Sequence, residues 1–281
     1  MKGITRLALP VCLLAAACLA ATVPDTPQPG EELARAPDLT GHSGGHLTIG
    51  GRAEPKTFNP VIANDAVSRE VTGRLMGDLI DINRASQQTE PALAKSWKVS
   101  PDGRVFTLQL RKGIRFSDGH PFDADDVVFS FAVYMDDKVD SPQRDLLIID
   151  GKPITVTKID QFTVRFTLPR PYGSAERLFD GLAILPKHLL EKAHQDGKFS
   201  EAWTLNTPPQ NIAGLGPFRL KQYVPGQKIV LERNPYYWKV DRNHDRLPYL
   251  DELVFLFVGT EYAHVLRFEA GETDMISRLS S

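Results

Sequence analysis

Gly41-His42-Ser43-Gly44-Gly45 spells Gly-x-Ser-x-Gly, the pattern of a nucleophile elbow. An elbow works because a strained turn between a strand and a helix exposes the serine hydroxyl. Here a proline-rich stretch precedes Ser43 and a strand pattern follows it, so the context is missing on both sides. A Gly/Ser hinge is the stronger reading, and a lipid-anchored serine hydrolase using Ser43 is the alternative. His42 and His46 are spaced like zinc ligands on a helix, yet Gly44 and Gly45 between them disfavour one and no Glu-x-x-His accompanies them. Asp123, Asp125 and Asp126 lack the glycine and terminal glutamate of a calcium loop. They open an apolar segment, so they read as a cap and first-turn acids. Asp136 and Asp137 close that segment and read as solvated. Tyr236-Tyr237-Trp238 could line a cleft, but aromatics prefer burial and packing beneath a loop is favoured. No paired catalytic set, metal set or cofactor motif emerges, so the chain reads as a non-enzyme with no cofactor.

Positioning any of these residues takes elements, and the periodicity supplies them. Leu47-Thr48-Ile49 alternates and should stop at Gly50-Gly51. Val67, Val71, Leu75 and Leu79 recur every fourth residue, the stripe of a helix. Phe106, Leu108 and Leu110 alternate with Thr107 and Gln109, and Phe162 to Leu168 alternates likewise, with Ile154-Thr155-Val156 as a partner strand. Asp123 caps a helix reaching about Tyr134. Pro186 opens another that Gly197 can close. Phe218–Val224 and Ile229–Glu232 form a hairpin around Pro225-Gly226, which suits a type II turn. Leu253 to Val258 is apolar enough to be a buried strand. Strands and helices interleave irregularly, which predicts a mixed α/β fold with antiparallel pairs.

The chain has 281 residues, 42% hydrophobic and 24% charged, with a net charge of −2. This is an ordinary globular composition with no basic surface for nucleic acid. Its start is polarised. Lys2 and Arg6 precede an uncharged run from Leu7 to Ala21, too short to span a bilayer and interrupted by Pro10. That is the pattern of an export signal. Both cysteines, Cys12 and Cys18, lie in it. Ala15-Ala16-Ala17-Cys18 resembles a lipobox, which makes residues 1–18 a lipoprotein signal and Cys18 the lipidated anchor. The favoured leucine sits one place early, at Leu14, and plain cleavage near Ala20 or Ala21 is the alternative. Either way the mature chain has no thiol pair. Residues 19–45, with Pro24, Pro27, Pro29 and Pro37, read as an extended tether.

Five ordered blocks resemble one family. They are Ala94–Asp102 with Val105-Phe106-Thr107-Leu108-Gln109-Leu110-Arg111-Lys112-Gly113-Ile114, then Phe116–Val127, Gly214-Leu215-Gly216-Pro217-Phe218, Leu231–Trp238, and Ala270–Met275. Together they are similar to the family 5 bacterial extracellular solute-binding proteins, the oligopeptide-, dipeptide- and nickel-binding components of ABC importers. Arg115 and Leu215 depart from the family pattern. The resemblance implies a type II periplasmic-binding-protein fold of the enlarged, three-domain form. Residues 46–70 and 183–265 would build the first lobe, 71–182 a companion domain, and 266–281 the start of a second lobe. It implies an extracytoplasmic monomer that captures a small solute, with peptide the commonest class, and delivers it to a membrane permease. Glu54-Pro55-Lys56-Thr57-Phe58-Asn59-Pro60 resembles the segment whose start lines the cleft, so Glu54 and Lys56 are the candidate ligand contacts. Ser141–Arg144 resembles a region that supplies a cleft tyrosine, and none is present here. The body corresponds to about half of a two-lobed clamp, so a truncated product that binds nothing is a further expectation.

Overall fold

The computed structural model describes residues 26–51 and 53–276, and the expected signal with Cys12 and Cys18 lies outside them. The segment expected to be a free tether is packed from Glu31 onward. Strand β1 (Ala34–Arg35) lies parallel to Lys239–Val240. The amides of Ala34 and Ala36 donate to the carbonyls of Trp238 and Val240 at 2.9 and 2.8 Å. Two adjacent carboxylates take separate anchors, Glu31 on Arg246 and Glu32 on Lys95 and the Lys112 amide. The physical reason is local. Prolines deny backbone donors at 27, 29 and 37, but 31–36 has none and can pair.

Strand β2 (His46–Gly51) runs on through its two glycines rather than stopping before them. A Cβ on Gly50 would stand 3.3 Å from His264 Nδ1, so the glycine makes room for a neighbouring ring. Helix α1 (Ala66–Leu75) is capped by Asp65, which accepts from the Ser68 amide at 2.9 Å. The expected stripe through Leu79 ends early. Met76 is extended, and the Gly77 backbone passes so close to Leu215 that a Cβ would meet it at 3.0 Å. Leu79 is buried instead at the start of the hairpin β3 (Ile80–Ile82) and β4 (Thr89–Pro91).

Strands β5 (Ala94–Val99) and β6 (Val105–Leu110) begin the first sheet. Helix α2 (Ala124–Met135) follows with the expected cap at Asp123, completed by Asp126 into a capping box. After the short pair β7 (Ile148–Ile149) and β8 (Lys152–Pro153), β9 (Thr155–Asp160) and β10 (Thr163–Thr167) complete an antiparallel sheet ordered β5-β6-β10-β9. Phe106, Leu108, Leu110, Val164 and Phe166 are buried, and Phe131 of α2 meets Phe166 edge-on at 4.8 Å between centroids.

Helix α3 (Lys187–Gln195) starts at Pro186, as expected, and its first amide donates to Asp126 Oδ1 at 3.0 Å. One buried carboxylate thus serves the starts of two helices. Asp136 and Asp137 are not merely solvated: Asp136 bonds His194 of α3 at 2.9 Å, and Asp137 pairs with Arg144. The ends of α2 and α3 come together, so Asp136 meets an imidazole of α3, while Asp137 meets the guanidinium of Arg144 in the short turn that follows α2.

The second sheet takes β11 (Phe218–Val224) and β12 (Lys228–Arg233) as the expected hairpin, with Gly226 at φ 70° in its turn. Strand β13 (Lys239–Val240) holds β1. Strand β14 (Glu252–Phe257), helix α4 (Glu261–Glu269) and β15 (Met275–Ile276) are the last elements among the described residues. The order is β11-β12-β14-β2-β15, antiparallel at the hairpin and parallel through β14, β2 and β15. One continuous buried cluster joins residues of both sheets, from Ile49 to Phe255. The mixed α/β class expected from the patterning is what forms.

Candidate functional site

Three parallel strands, β14, β2 and β15, end on one edge of the second sheet. In open α/β sheets the crevice outside such carboxyl ends is the usual place for a ligand. Two backbone bonds shape this edge into a ledge. The Val258 amide donates to Gly51 O at 2.8 Å and the Phe257 amide to Gln227 O at 2.8 Å. The exits of β2 and β14 and the β11–β12 turn are therefore one surface.

Glu54 sits on the loop leaving β2, and its Oε2 accepts from the Tyr223 hydroxyl at 2.6 Å and the Gly226 amide at 2.9 Å. The Gly226 amide and the Tyr223 hydroxyl hold its carboxyl below the usual range. Burial, then the bond to Glu54, pushes the Tyr223 phenol up to about 12. The Tyr223 ring meets Phe58 edge-on at 5.7 Å. Lys56 lies on the same loop but faces other neighbours. Its amide donates to Ser68 Oγ at 2.8 Å, and its exposed side chain is within electrostatic reach of Asp65. The two candidate contacts are thus not a pair. Glu54 points to the hairpin and Lys56 lies by the start of α1. Farther along, Asn59 anchors the loop to the carbonyls of Phe199 and Ala202, and Ser141 Oγ donates to Val61 O at 2.9 Å. The sequence placed Gly226 in a turn and Ser141 in a cleft-like segment, but the bonds of Tyr223 and Gly226 to Glu54 and of Ser141 to Val61 were missed. The alternation of β11 places Tyr223 on a face but says nothing of a partner in another segment.

Ser43 is exposed in the extended segment before β2, and among the described residues no histidine or carboxylate is hydrogen-bonded to it. His42 and His46 are exposed as well. Nothing here builds a nucleophile. Trp238 is buried and donates to Leu215 O at 2.9 Å, which is the core role expected for the aromatic cluster.

Residues 88–281 match the sequence profile of "Bacterial extracellular solute-binding proteins, family 5 Middle". The chain belongs to this family. Among its relatives, the periplasmic oligopeptide-binding protein OppA of Haemophilus influenzae is 29% identical over 83% of this chain and 43% of the relative. The periplasmic alpha-galactoside-binding protein of Rhizobium meliloti is 37% identical over 62% of this chain and 26% of the relative. Among solved structures, the periplasmic binding protein DppA of Helicobacter pylori in complex with the peptide STSA superposes with a TM-score of 0.68. It shares 29% identity over 83% of this chain and 46% of that chain. The fold of this family 5 chain is therefore that of the type II periplasmic binding proteins. The chain spans less than half the length of these relatives. Glu54 and Lys56 precede the stretch matched by the family profile.

One other constellation in this family 5 chain could interest a cation. Carboxylate oxygens of Asp78, Asp81 and Asp180 lie within 4.8 Å of one another, beside a cleft of about 570 Å³. They are already compensated: Asp81 accepts from Lys239 Nζ, Asp78 from the Gly181 amide, and Arg177 and Arg84 act on Asp180. Burial, with Asp180 and Asp81 nearby, pushes the Asp78 carboxyl up to about 7. An unfolded aspartate titrates at about 3.9. The native state therefore holds this proton more tightly, and the stability it contributes is lost as pH rises through about 7. Thermal melts should show stability falling from pH 6 to pH 8, with a shallower fall in Asp78→Asn. Identical slopes in the two proteins would contradict this role for Asp78.

Proposed function

We propose that this chain is the solute-capturing component of an ABC importer, or the first-lobe part of one, working outside the cytoplasm. The observation that carries the reading is the ledge at the carboxyl ends of β2 and β14, in a chain of the family 5 fold. A ligand on the ledge meets backbone edges and the loop that Glu54 fastens, with the exposed Lys56 farther along the same loop. Backbone recognition with few side-chain demands suits a peptide, and the DppA neighbour was solved with one. The body acts as a monomer, passes its solute to a membrane permease and takes no nucleic acid. Cys18 carries the lipid anchor. The packing of Glu31–Ala36 against the body supports a tether shorter than the proline pattern alone implies. Residues 19–30 reach at most about 40 Å when fully extended.

A thermal-shift titration of this chain with the tetrapeptide Ser-Thr-Ser-Ala, and in parallel with an alpha-galactoside trisaccharide, tests the reading. A ligand at a hundredfold its Kd contributes about 2.7 kcal/mol, a rise of roughly 5–10 °C. A rise with the peptide supports peptide capture. A rise with the sugar alone moves the substrate class to saccharides, which the Rhizobium relative's name supports. A folded protein that no peptide or sugar shifts would sink the capture reading.

A further inference from the structure

We propose that Glu54 is a positioning residue, a lock that fastens the β11–β12 turn to the exit of β2 and so sets the shape of the ledge. The inference deepens the capture reading above, and its relevance to binding rests on that reading. The argument is geometric. A single oxygen, Oε2, accepts from two donors on the hairpin, the Tyr223 hydroxyl at 2.6 Å and the Gly226 amide at 2.9 Å. The partners are 169 and 172 residues away in sequence, so the contact joins segments that local structure does not join. The turn itself closes without Glu54, through the Gln227 amide on Val224 O at 3.0 Å. Losing the carboxylate therefore leaves a formed but unfastened turn. The turn tip is exposed and pivots on Pro225-Gly226, with Gly226 in the left-handed region.

What remains on the far side of the lock is rigid. Tyr223 packs edge-on against Phe58, which is fully buried and bonds the Trp203 carbonyl through its amide at 3.0 Å. Beside the turn, the Phe257 amide holds Gln227 O at 2.8 Å. Among the described residues Glu54 is thus the link that ties the tip to the β2 exit through an ionised group. Charge-assisted bonds of this kind are about twice as strong as neutral ones. The depressed carboxyl keeps Glu54 ionised at neutral pH, so the lock holds there and loosens on acidification.

The test uses Glu54→Ala and Glu54→Gln in the full chain, with no ligand needed for its main readout. Amide exchange at Gly226 and Gln227 should speed up about tenfold in Glu54→Ala, while amides of Val230 and Leu231 in β12 stay protected. Glu54→Gln keeps an acceptor and should restore part of the protection. Tyrosine-labelled NMR titration should bring the Tyr223 phenol down from about 12 toward its ordinary value in both variants, leaving the other tyrosines unmoved. A merely structural role would instead lower the melting temperature with the local exchange pattern and the phenol unchanged. If Glu54→Ala does not fold, Glu54→Gln alone carries both readouts, and Tyr223→Phe, which removes one of the two donors, carries the exchange readout. Unchanged exchange at Gly226 together with an unchanged Tyr223 titration would overturn the lock. Binding of Ser-Thr-Ser-Ala is measured separately. Weaker binding in Glu54→Ala supports the lock at the ledge, and binding equal to the native protein's overturns its role there. Absence of binding by the native chain counts against the capture reading, while the exchange data still decide the lock.

Discussion

A single methyl group at position 214 should cost the protein most of its stability. A Cβ built on Gly214 would stand 2.0 Å from the Leu75 carbonyl oxygen and 2.8 Å from its carbon. One on Gly216 would stand 2.5 Å from both Arg74 O and Leu75 C. The obstacles are backbone atoms at the end of α1, so no side chain can swing aside. The segment is also bonded on every side. Gly216 N donates to Leu75 O at 2.9 Å, Ser117 and Gly214 exchange two bonds, and Asn234 Nδ2 donates to Gly216 O at 2.8 Å. Moving the chain to relieve the clash breaks these buried bonds as well. Such combined overpacking and loss of bonds belongs to the severe end of single substitutions, about 4 kcal/mol. For a chain of this size that is a melting temperature lower by about 10 °C, or no folded product. Gly73→Ala is the control. Nothing lies within 4 Å of its Cβ position, in an exposed turn of α1. It should be neutral or stabilising by up to about 1 kcal/mol. Circular-dichroism melts of the three proteins decide the matter. A Gly214→Ala protein melting within 2 °C of the native one would refute the close approach.

The same glycine segment shows what a sequence can and cannot reveal. Gly214-Leu215-Gly216-Pro217-Phe218 was recognisable as a family block, but the reason for its glycines, the end of α1 far upstream, was not. Features whose causes are local were legible. The alternation of β6 and β10, the Asp123 cap and the Pro225-Gly226 turn all form where periodicity and capping place them. Features whose causes are distant were misread. Gly50-Gly51 looked like a strand end because the His264 ring that requires a glycine lies on a helix 214 residues later. Asp136 looked solvated because His194 reaches it from another helix. Glu54 was found through resemblance to a cleft-lining segment, yet its present partners are Tyr223 and Gly226, and its charge is committed to them. Composition dominated the reading of residues 19–45. Proline spacing spoke for a tether, and nothing near in sequence pointed to strand Lys239–Val240 or to Arg246.

That packed segment yields the second large effect. Glu31→Ala should destabilise the protein by about 3–5 kcal/mol, whereas the neighbouring Glu32→Ala should cost about 1 kcal/mol or less. Burial is the difference. The Glu31 and Arg246 side chains are 9% and 3% exposed, while Glu32 and Lys95 are 37% and 34% exposed. Arg246 Nη2 bonds Glu31 at 2.7 Å and Nη1 bonds the Tyr237 carbonyl at 2.6 Å, but Nε has no partner. Without Glu31 the guanidinium stays buried with a single carbonyl to bond, and its charge is uncompensated. Removing the charge should therefore repair much of the damage. Glu31→Ala with Arg246→Met should be more stable than Glu31→Ala alone, although it carries one more substitution. The strap would also come loose in the single variant, since β1 is only two residues long and depends on this anchor to stay beside β13. Limited proteolysis should then cut between Gln28 and Ala36 in Glu31→Ala and spare the native protein. Urea unfolding of the native, two single and double variants closes the cycle. Equal losses at positions 31 and 32, or a double variant weaker than Glu31→Ala, would show that the buried pair does not hold the strap.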